Sequence, residues 1–229
     1  MLNSLEFMGC KDTHVVRLDT IDPSNKSGKM YLQQATAEAF LDLQESASAA
    51  GVDCQIVSSF RSFERQLQIW NRKWRGELAV LNDKQEPIDL AALDNNEKCH
   101  AILRWSALPG ASRHHWGTDI DVYDQRATLA AEHQLKLIPS EYYINGVCSN
   151  LFIWLTQYAK KFGFTQPYAL DTGGIGVEPW HLSYAPIANP LLEQYPQQEL
   201  YDKLQASDIE GKSIILEQFD SILHRYVFI

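Results

Sequence analysis

Apolar residues recur along this chain at two spacings, and the alternation between them predicts the order of its elements. Leu32, Ala35, Ala39, Leu43 and Ala47 repeat at helical spacing, so residues 29–50 are expected to form an amphipathic helix that Gly51 ends. Val52, Cys54 and Ile56 then alternate with polar residues, as in a short strand. Ser62 is a good N-cap, and Phe63, Leu67, Trp70 and Trp74 behind it share one helical face. Residues 76–90 are irregular. A third helix is expected from about Leu90 to Trp105, before the break at Pro109-Gly110. Residues 117–123 read as a strand and 139–148 as a polar loop. Ser149 is placed to cap a helix that buries Leu151, Leu155, Tyr158 and Phe162, with Gly163 at its C′ position. After a turn at Gly173-Gly174, a strand runs through Trp180 to Tyr184. Beyond Pro186 the tail, with Pro190 and Pro196, predicts a helix around 208–224. Residues 1–28 carry no clear period. Helices and strands are intermixed without a βαβ rhythm, which predicts an α+β fold.

Composition narrows the partners. The 229 residues are 45% apolar, enough for one sizeable packed domain spanning 1–229. The formal net charge of -9 argues against nucleic acid or an anionic membrane surface as the main partner. No segment approaches the roughly 18 apolar residues of a membrane span; Leu151 to Leu155 is the longest strong run. The first residues have neither a basic start nor a long apolar stretch, so the expected compartment, as written, is the cytoplasm. A start site misplaced upstream of Gly9-Cys10 would instead put the protein in the periplasm or cell envelope. Cys10, Cys54, Cys99 and Cys148 show no CxxC spacing, which argues against a zinc knuckle or a thioredoxin-type motif, and with no signal visible four free thiols are expected.

Two stretches carry chemistry: Ser112-Arg113-His114-His115-Trp116-Gly117-Thr118-Asp119-Ile120-Asp121, and Glu178-Pro179-Trp180-His181. A catalytic zinc site needs three nitrogen or oxygen ligands and an open position for water. It also needs a nearby carboxylate that is not a ligand, to take the proton of that water. His114, Asp121 and His181 can supply the ligands, and Glu178 the base. Residues three apart on a regular strand face opposite ways. Glu178 and His181 therefore converge only if the strand is broken, which Pro179 provides. Gly117 likewise lets the chain turn between His114 and Asp121. His14, His100, His133 and His224 are expected to be structural or solvated, and the His115 side chain to point away from His114.

The ordered motifs S-x-H-x-x-G-x-x-x-D and E-P-W-H resemble the VanY-type zinc D-alanyl-D-alanine carboxypeptidases, of the lysostaphin, D-Ala-D-Ala peptidase and Hedgehog-like fold group. Ser58-Ser59-Phe60-Arg61-Ser62 is similar to the family's S-G-Y-R-S element, and Tyr158 to Phe164 to the stretch before its second metal motif. The resemblance covers about 30–186 and leaves a C-terminal helical appendix, about 187–229, without a counterpart. It implies a small antiparallel sheet that carries one zinc per chain and is flanked by helices. His114, Asp121 and His181 match the metal ligands, and Glu178 the base. Arg61 matches the arginine that stabilises an oxyanion or holds the substrate carboxylate, and Ser112 and Gln66 match substrate-binding positions. The implied partners are peptidoglycan stem peptides or muropeptides, cleaved at the terminal D-alanine. An L,D-carboxypeptidase or endopeptidase of the same mechanism is the near alternative, and a non-catalytic zinc-containing peptidoglycan-binding module the distant one. The chain departs from the family at Asp119, where a small residue is usual, and at Phe60, which replaces a tyrosine. Asp119 shares a strand face with Asp121 but is not expected to be a ligand.

Overall fold

A computed structural model describes residues 2–228. In chain order its elements are α1 (Ser4–Phe7), β1 (Val16–Arg17), α2 (Leu18–Ile21), β2 (Tyr31–Leu32), α3 (Gln34–Ala49), β3 (Cys54–Ser58), α4 (Phe63–Trp74) and α5 (Asn95–Leu103). There follow β4 (Asp119–Asp124), α6 (Gln125–Ala130), α7 (Ser149–Tyr158), β5 (Phe164–Thr165), β6 (His181–Tyr184), α8 (Ala185–Glu193), α9 (Gln197–Ala206), α10 (Lys212–Glu217) and α11 (Phe219–Tyr226). Strands β3, β4, β6 and β5 form, in that order, an antiparallel sheet, and β1 pairs with β2 in a separate ribbon. The fold is α+β, with a small sheet flanked by helices.

Alternation along the central strands gives the sheet two unlike faces. Ile120, Val122 and Leu182 join Ile56 in a buried cluster with Phe40 and Leu43 of α3 and Leu151 and Leu155 of α7. Asp119, Asp121, His181 and Ser183 occupy the opposite face. A second cluster joins Trp70 and Trp74 of α4 and Ile102 and Leu103 of α5 to Leu200, Leu204, Ile215, Ile222 and Leu223 of the C-terminal helices. Each such fully buried side chain contributes about 1.5–3 kcal/mol. Polar bonds close the same seam: Trp70 Nε1 donates to Glu210 O at 3.0 Å, and Tyr195 Oη to Gly110 O at 2.6 Å. No helix is long and apolar enough to cross a membrane among the described residues.

Several boundaries differ from expectation for local reasons. Helix α3 starts late because Leu32 belongs to β2, and its buried face is Thr36, Ala37, Phe40, Leu43 and Ala47; Ala35 and Ala39 are only half-buried. Helix α4 is capped as read, with Ser62 Oγ accepting from Arg65 N at 3.2 Å. Helix α5 begins at Asn95 because Asp94 and Glu97 form a capping box there. Ser149 is the first residue of α7 rather than its cap; Cys148 holds that position without a side-chain bond. The tail contains four helices, α8 to α11, where one had been expected around 208–224.

Candidate metal centre

The register of β4 and β6 sets Asp121 directly opposite His181. His114 arrives from a 3-10 turn over Arg113–Trp116, which Gly117 ends at φ 70°. A Cβ at Gly117 would lie 2.5 Å from Val15 Cγ1 and 2.9 Å from Gln33 N, so the turn into β4 needs glycine. One ligating atom from each of His114, Asp121 and His181 falls within 4.8 Å of the other two, and all three residues are buried. His114 Nδ1 donates to Ser59 O at 2.9 Å, which turns Nε2 toward Asp121 Oδ2, 3.4 Å away. His181 Nε2 is bonded to Asp119 Oδ1 at 2.9 Å, and its Nδ1 lies 3.1 Å from Asp121 Oδ1. Burial opposes charge on His181, but the two aspartates outweigh it and push its pKa up to about 10. Two imidazoles, each anchored through its other nitrogen, and one carboxylate form a donor set that fits zinc.

Asp119 shares the face of Asp121 but is otherwise engaged. It accepts from Arg113 Nε at 2.9 Å and Thr118 Oγ1 at 2.6 Å as well as from His181, and is fully buried. Burial works against its ionisation, yet Arg113 and His181 hold it well below the usual carboxylate range. Arg113 also donates to Ser183 Oγ at 2.6 Å.

Glu178 reaches the group through a turn. His181 N donates to Glu178 O at 3.2 Å around Pro179-Trp180, and Glu178 Oε2 stands 3.7 Å from His181 Nδ1. Burial pushes the Glu178 carboxyl up to about 7, against the pull of His181. Arg61 N donates to His114 O at 3.2 Å, and the Arg61 guanidinium donates to Gln66 Oε1 and Ser58 Oγ, both at 2.9 Å. Gln66 is fully buried; its amide also donates to Ala107 O at 2.6 Å, and it does not line the cleft. Ser112 does line it, with no side-chain cap bond.

Sequence reasoning passed over two neighbours. The His115 ring points away from the metal group, as expected, but Nδ1 donates to Arg61 O at 2.5 Å and Nε2 accepts from Gly110 N at 3.0 Å. Burial lowers its pKa to about 3, so it stays neutral while tying Arg61 to the His114 turn. Its only sequence signal was the His-His doublet. Tyr168 packs its ring 4.7 Å from that of His181 and lines the cleft, with no signal in the sequence. His14, His100 and His133 bond to His115 O, Tyr226 and Glu141 respectively.

These groups floor a cleft of about 350 Å³. Among the described residues, Arg61, Lys73, Arg113 and Lys136 line it against Asp121 and Glu178, the reverse of the charge balance of the whole chain. A pocket of this size takes a small molecule or the end of a peptide rather than a folded partner.

Sheet and cleft together define the class: an α+β protein whose buried His–Asp–His group opens on a small cation-lined pocket. Residues 29–187 match the family model VanY, D-alanyl-D-alanine carboxypeptidase, and the chain belongs to that family. An uncharacterized protein of Haemophilus influenzae is 48% identical over 95 residues, which are 42% of this chain and 62% of that protein. The chain therefore spans somewhat less than two thirds of that relative. The structure of VanYB in complex with D-alanine-D-alanine superimposes with a TM-score of 0.51 at 21% identity, covering 75% of this chain and 82% of the other. A mutant of the vancomycin-resistance D,D-pentapeptidase VanY in complex with Zn(II) gives 0.50 at 22% identity, with 75% and 87% covered. At these identities the two structures establish the shared fold.

Proposed function

We propose that the protein is a zinc-dependent carboxypeptidase that hydrolyses the terminal D-alanine amide of peptidoglycan stem peptides. The observation that carries this reading is the convergence of His114, Asp121 and His181 on the cleft floor with a non-ligating carboxylate, Glu178, beside them. Family membership and the zinc-bound VanY neighbour support the choice of metal and of substrate. Bound to the three side chains, zinc would polarise the scissile carbonyl and lower the pKa of a coordinated water. Glu178 accepts the water proton and returns it to the leaving amine, a task suited to a carboxyl whose pKa lies near neutrality. Arg61, held by Gln66 and Ser58, presents fixed positive charge to the developing oxyanion. Gln66 acts through Arg61 and needs no substrate contact of its own. Ser112, on the cleft wall, orients the peptide.

The test is to incubate zinc-loaded protein with pentapeptide and tetrapeptide muropeptides and to identify the products by mass. Release of D-alanine from the pentapeptide, abolished by a chelator and restored by zinc, is expected. Release from the tetrapeptide alone would make it an L,D-carboxypeptidase. Tight binding of both without turnover, at full zinc loading, would leave a binding module.

A further inference from the structure

Lys73 is a half-buried cleft cation that lies within 4 Å of no carboxylate among the described residues. Arg113 is paired with Asp119, Glu178 lies within the field of both Arg61 and Lys73, and Lys136 is exposed. Lys73 shares a face of α4 with Ile69, one turn earlier, and both line the cleft. Its ammonium donates to Ser106 Oγ at 2.5 Å and makes no ion pair among the described residues. An ammonium has three donors, so two are left for a ligand.

The ammonium is also held in place. Ser106 Oγ donates to Trp105 O at 2.8 Å, which fixes its lone pairs toward Lys73. The next residue, Ala107, is tied to α4 through Gln66 at 2.6 Å. Gln66, which anchors Arg61, lies seven residues before Lys73 on the same helix, a rise of about 10 Å. About three extended residues span that distance. Burial lowers the Lys73 pKa to about 8, so the charge persists at neutral pH although the site disfavours it. A cation drawn partly out of water with no ion-pair partner carries a desolvation cost, which a bound anion relieves.

We propose that Lys73, set on Ser106, is a carboxylate-binding subsite that reads a second point on the substrate peptide, away from the carbonyl addressed by Arg61. The proposal rests on the peptidase reading above and adds to it the substrate class: peptides that place a carboxylate about three residues' reach along the cleft. Of the carboxylates of a stem peptide, the side-chain one of a diamino diacid at the third position has that reach, whereas the C-terminal one lies a single residue beyond the scissile carbonyl.

The experiment compares wild type, Lys73→Met and Lys73→Arg on two pairs of synthetic pentapeptides. One pair differs in C-terminal carboxylate against carboxamide, the other in diaminopimelate against lysine at the third position. Wild type should prefer the carboxylate member of one pair by about 10–100-fold in kcat/KM, the size of a charge-assisted hydrogen bond. Lys73→Met should collapse that preference, mainly through KM, and Lys73→Arg should restore most of it. The diaminopimelate pair should respond, and a response confined to the C-terminal pair would overturn the placement of the subsite away from the scissile carbonyl. Preferences that survive intact in zinc-loaded Lys73→Met, or that never exceed twofold in wild type, would overturn the subsite. If wild type hydrolyses none of the peptides, the peptidase reading fails. Calorimetric affinities for the same pairs then decide the subsite separately, by whether Lys73→Met abolishes discrimination.

Discussion

Replacing Asp119 by asparagine separates the two aspartates of β4. Asp119 accepts from His181, Arg113 and Thr118 with no exposed surface, so the change removes a buried charge and leaves its partners in place. Arg113 is itself buried and has no other carboxylate within reach among the described residues. Breaking a buried pair from one side typically costs about 3–5 kcal/mol. Oδ1 accepts from both Arg113 and His181, so an amide oxygen in its place still accepts two of the three bonds, which favours the lower end. At roughly 2–4 °C per kcal/mol for a chain of this size, metal-free Asp119→Asn should melt about 6–12 °C below wild type. His181 would also lose the carboxylate that fixes its Nε2, and the loss of such an outer partner usually weakens a metal site about 10–100-fold. Zinc titration with a competing chelator, read beside thermal melting, checks both numbers. Asp119→Asn should still fill to one zinc per chain at saturating metal, whereas Asp121→Asn should bind far more weakly. An Asp119→Asn protein that never fills, beside an Asp121→Asn protein that does, would exchange their roles. Unaltered melting would refute the buried-pair argument.

Other consequences can be measured on the same preparations. Glu178→Gln, nearly isosteric, should keep fold and zinc while D-alanine release falls about 100- to 10,000-fold; an undiminished rate would discard Glu178 as the base. Arg61→Ala should cut turnover about 100- to 1,000-fold and weaken peptide binding more than Glu178→Gln does. The four cysteines form no disulfides. A thiol reagent should therefore label Cys10, which is half-buried, in the native protein and all four cysteines after unfolding without reductant. Lys73→Met should raise the melting temperature at pH 7 even as it lowers substrate discrimination. Burial depresses the Lys73 pKa to about 8, so the unfolded chain holds the extra proton and its stabilising effect on the unfolded state disappears as pH rises past the ordinary lysine value. The gain from Lys73→Met should thus be largest below about pH 8 and vanish above about pH 10.5. A uniform gain across that range would point to packing instead of charge.

What the sequence made legible was what lies close together along it. The cap at Ser62, the apolar face of α4, the left-handed glycines at 117 and 163, and the break at Pro179 each depend on a few adjacent residues. The face of α3 was misjudged because its pattern leaned on alanine, which is at home on either side of a helix, while Phe40 carried the true core contact. The spacing of Asp119 and Asp121 correctly put them on one face. It could not show that Asp119 is taken up by Arg113, which Ser183 holds from the neighbouring strand.

The features that escaped the reading share one physical origin: they are long-range register. Asp121 meets His181 only when β4 and β6 pair, and no local period encodes that pairing. His115 grips the backbone of Arg61, and Lys73 meets Ser106, across chain separations of 54 and 33 residues. Helix α4, which carries the Arg61 anchor and Lys73, is itself held by Glu210 at a separation of 140. The C-terminal helices, for which the family motifs offered no counterpart, therefore bear on the cleft through the helix they hold. The candidate ligands follow from local motif chemistry, whereas the cleft wall on α4 is set by packing from the far end of the chain. Substitutions in the seam between α4 and the C-terminal helices should accordingly alter discrimination at Lys73 more than zinc affinity, since the sheet that carries the candidate ligands Asp121 and His181 packs on a different cluster.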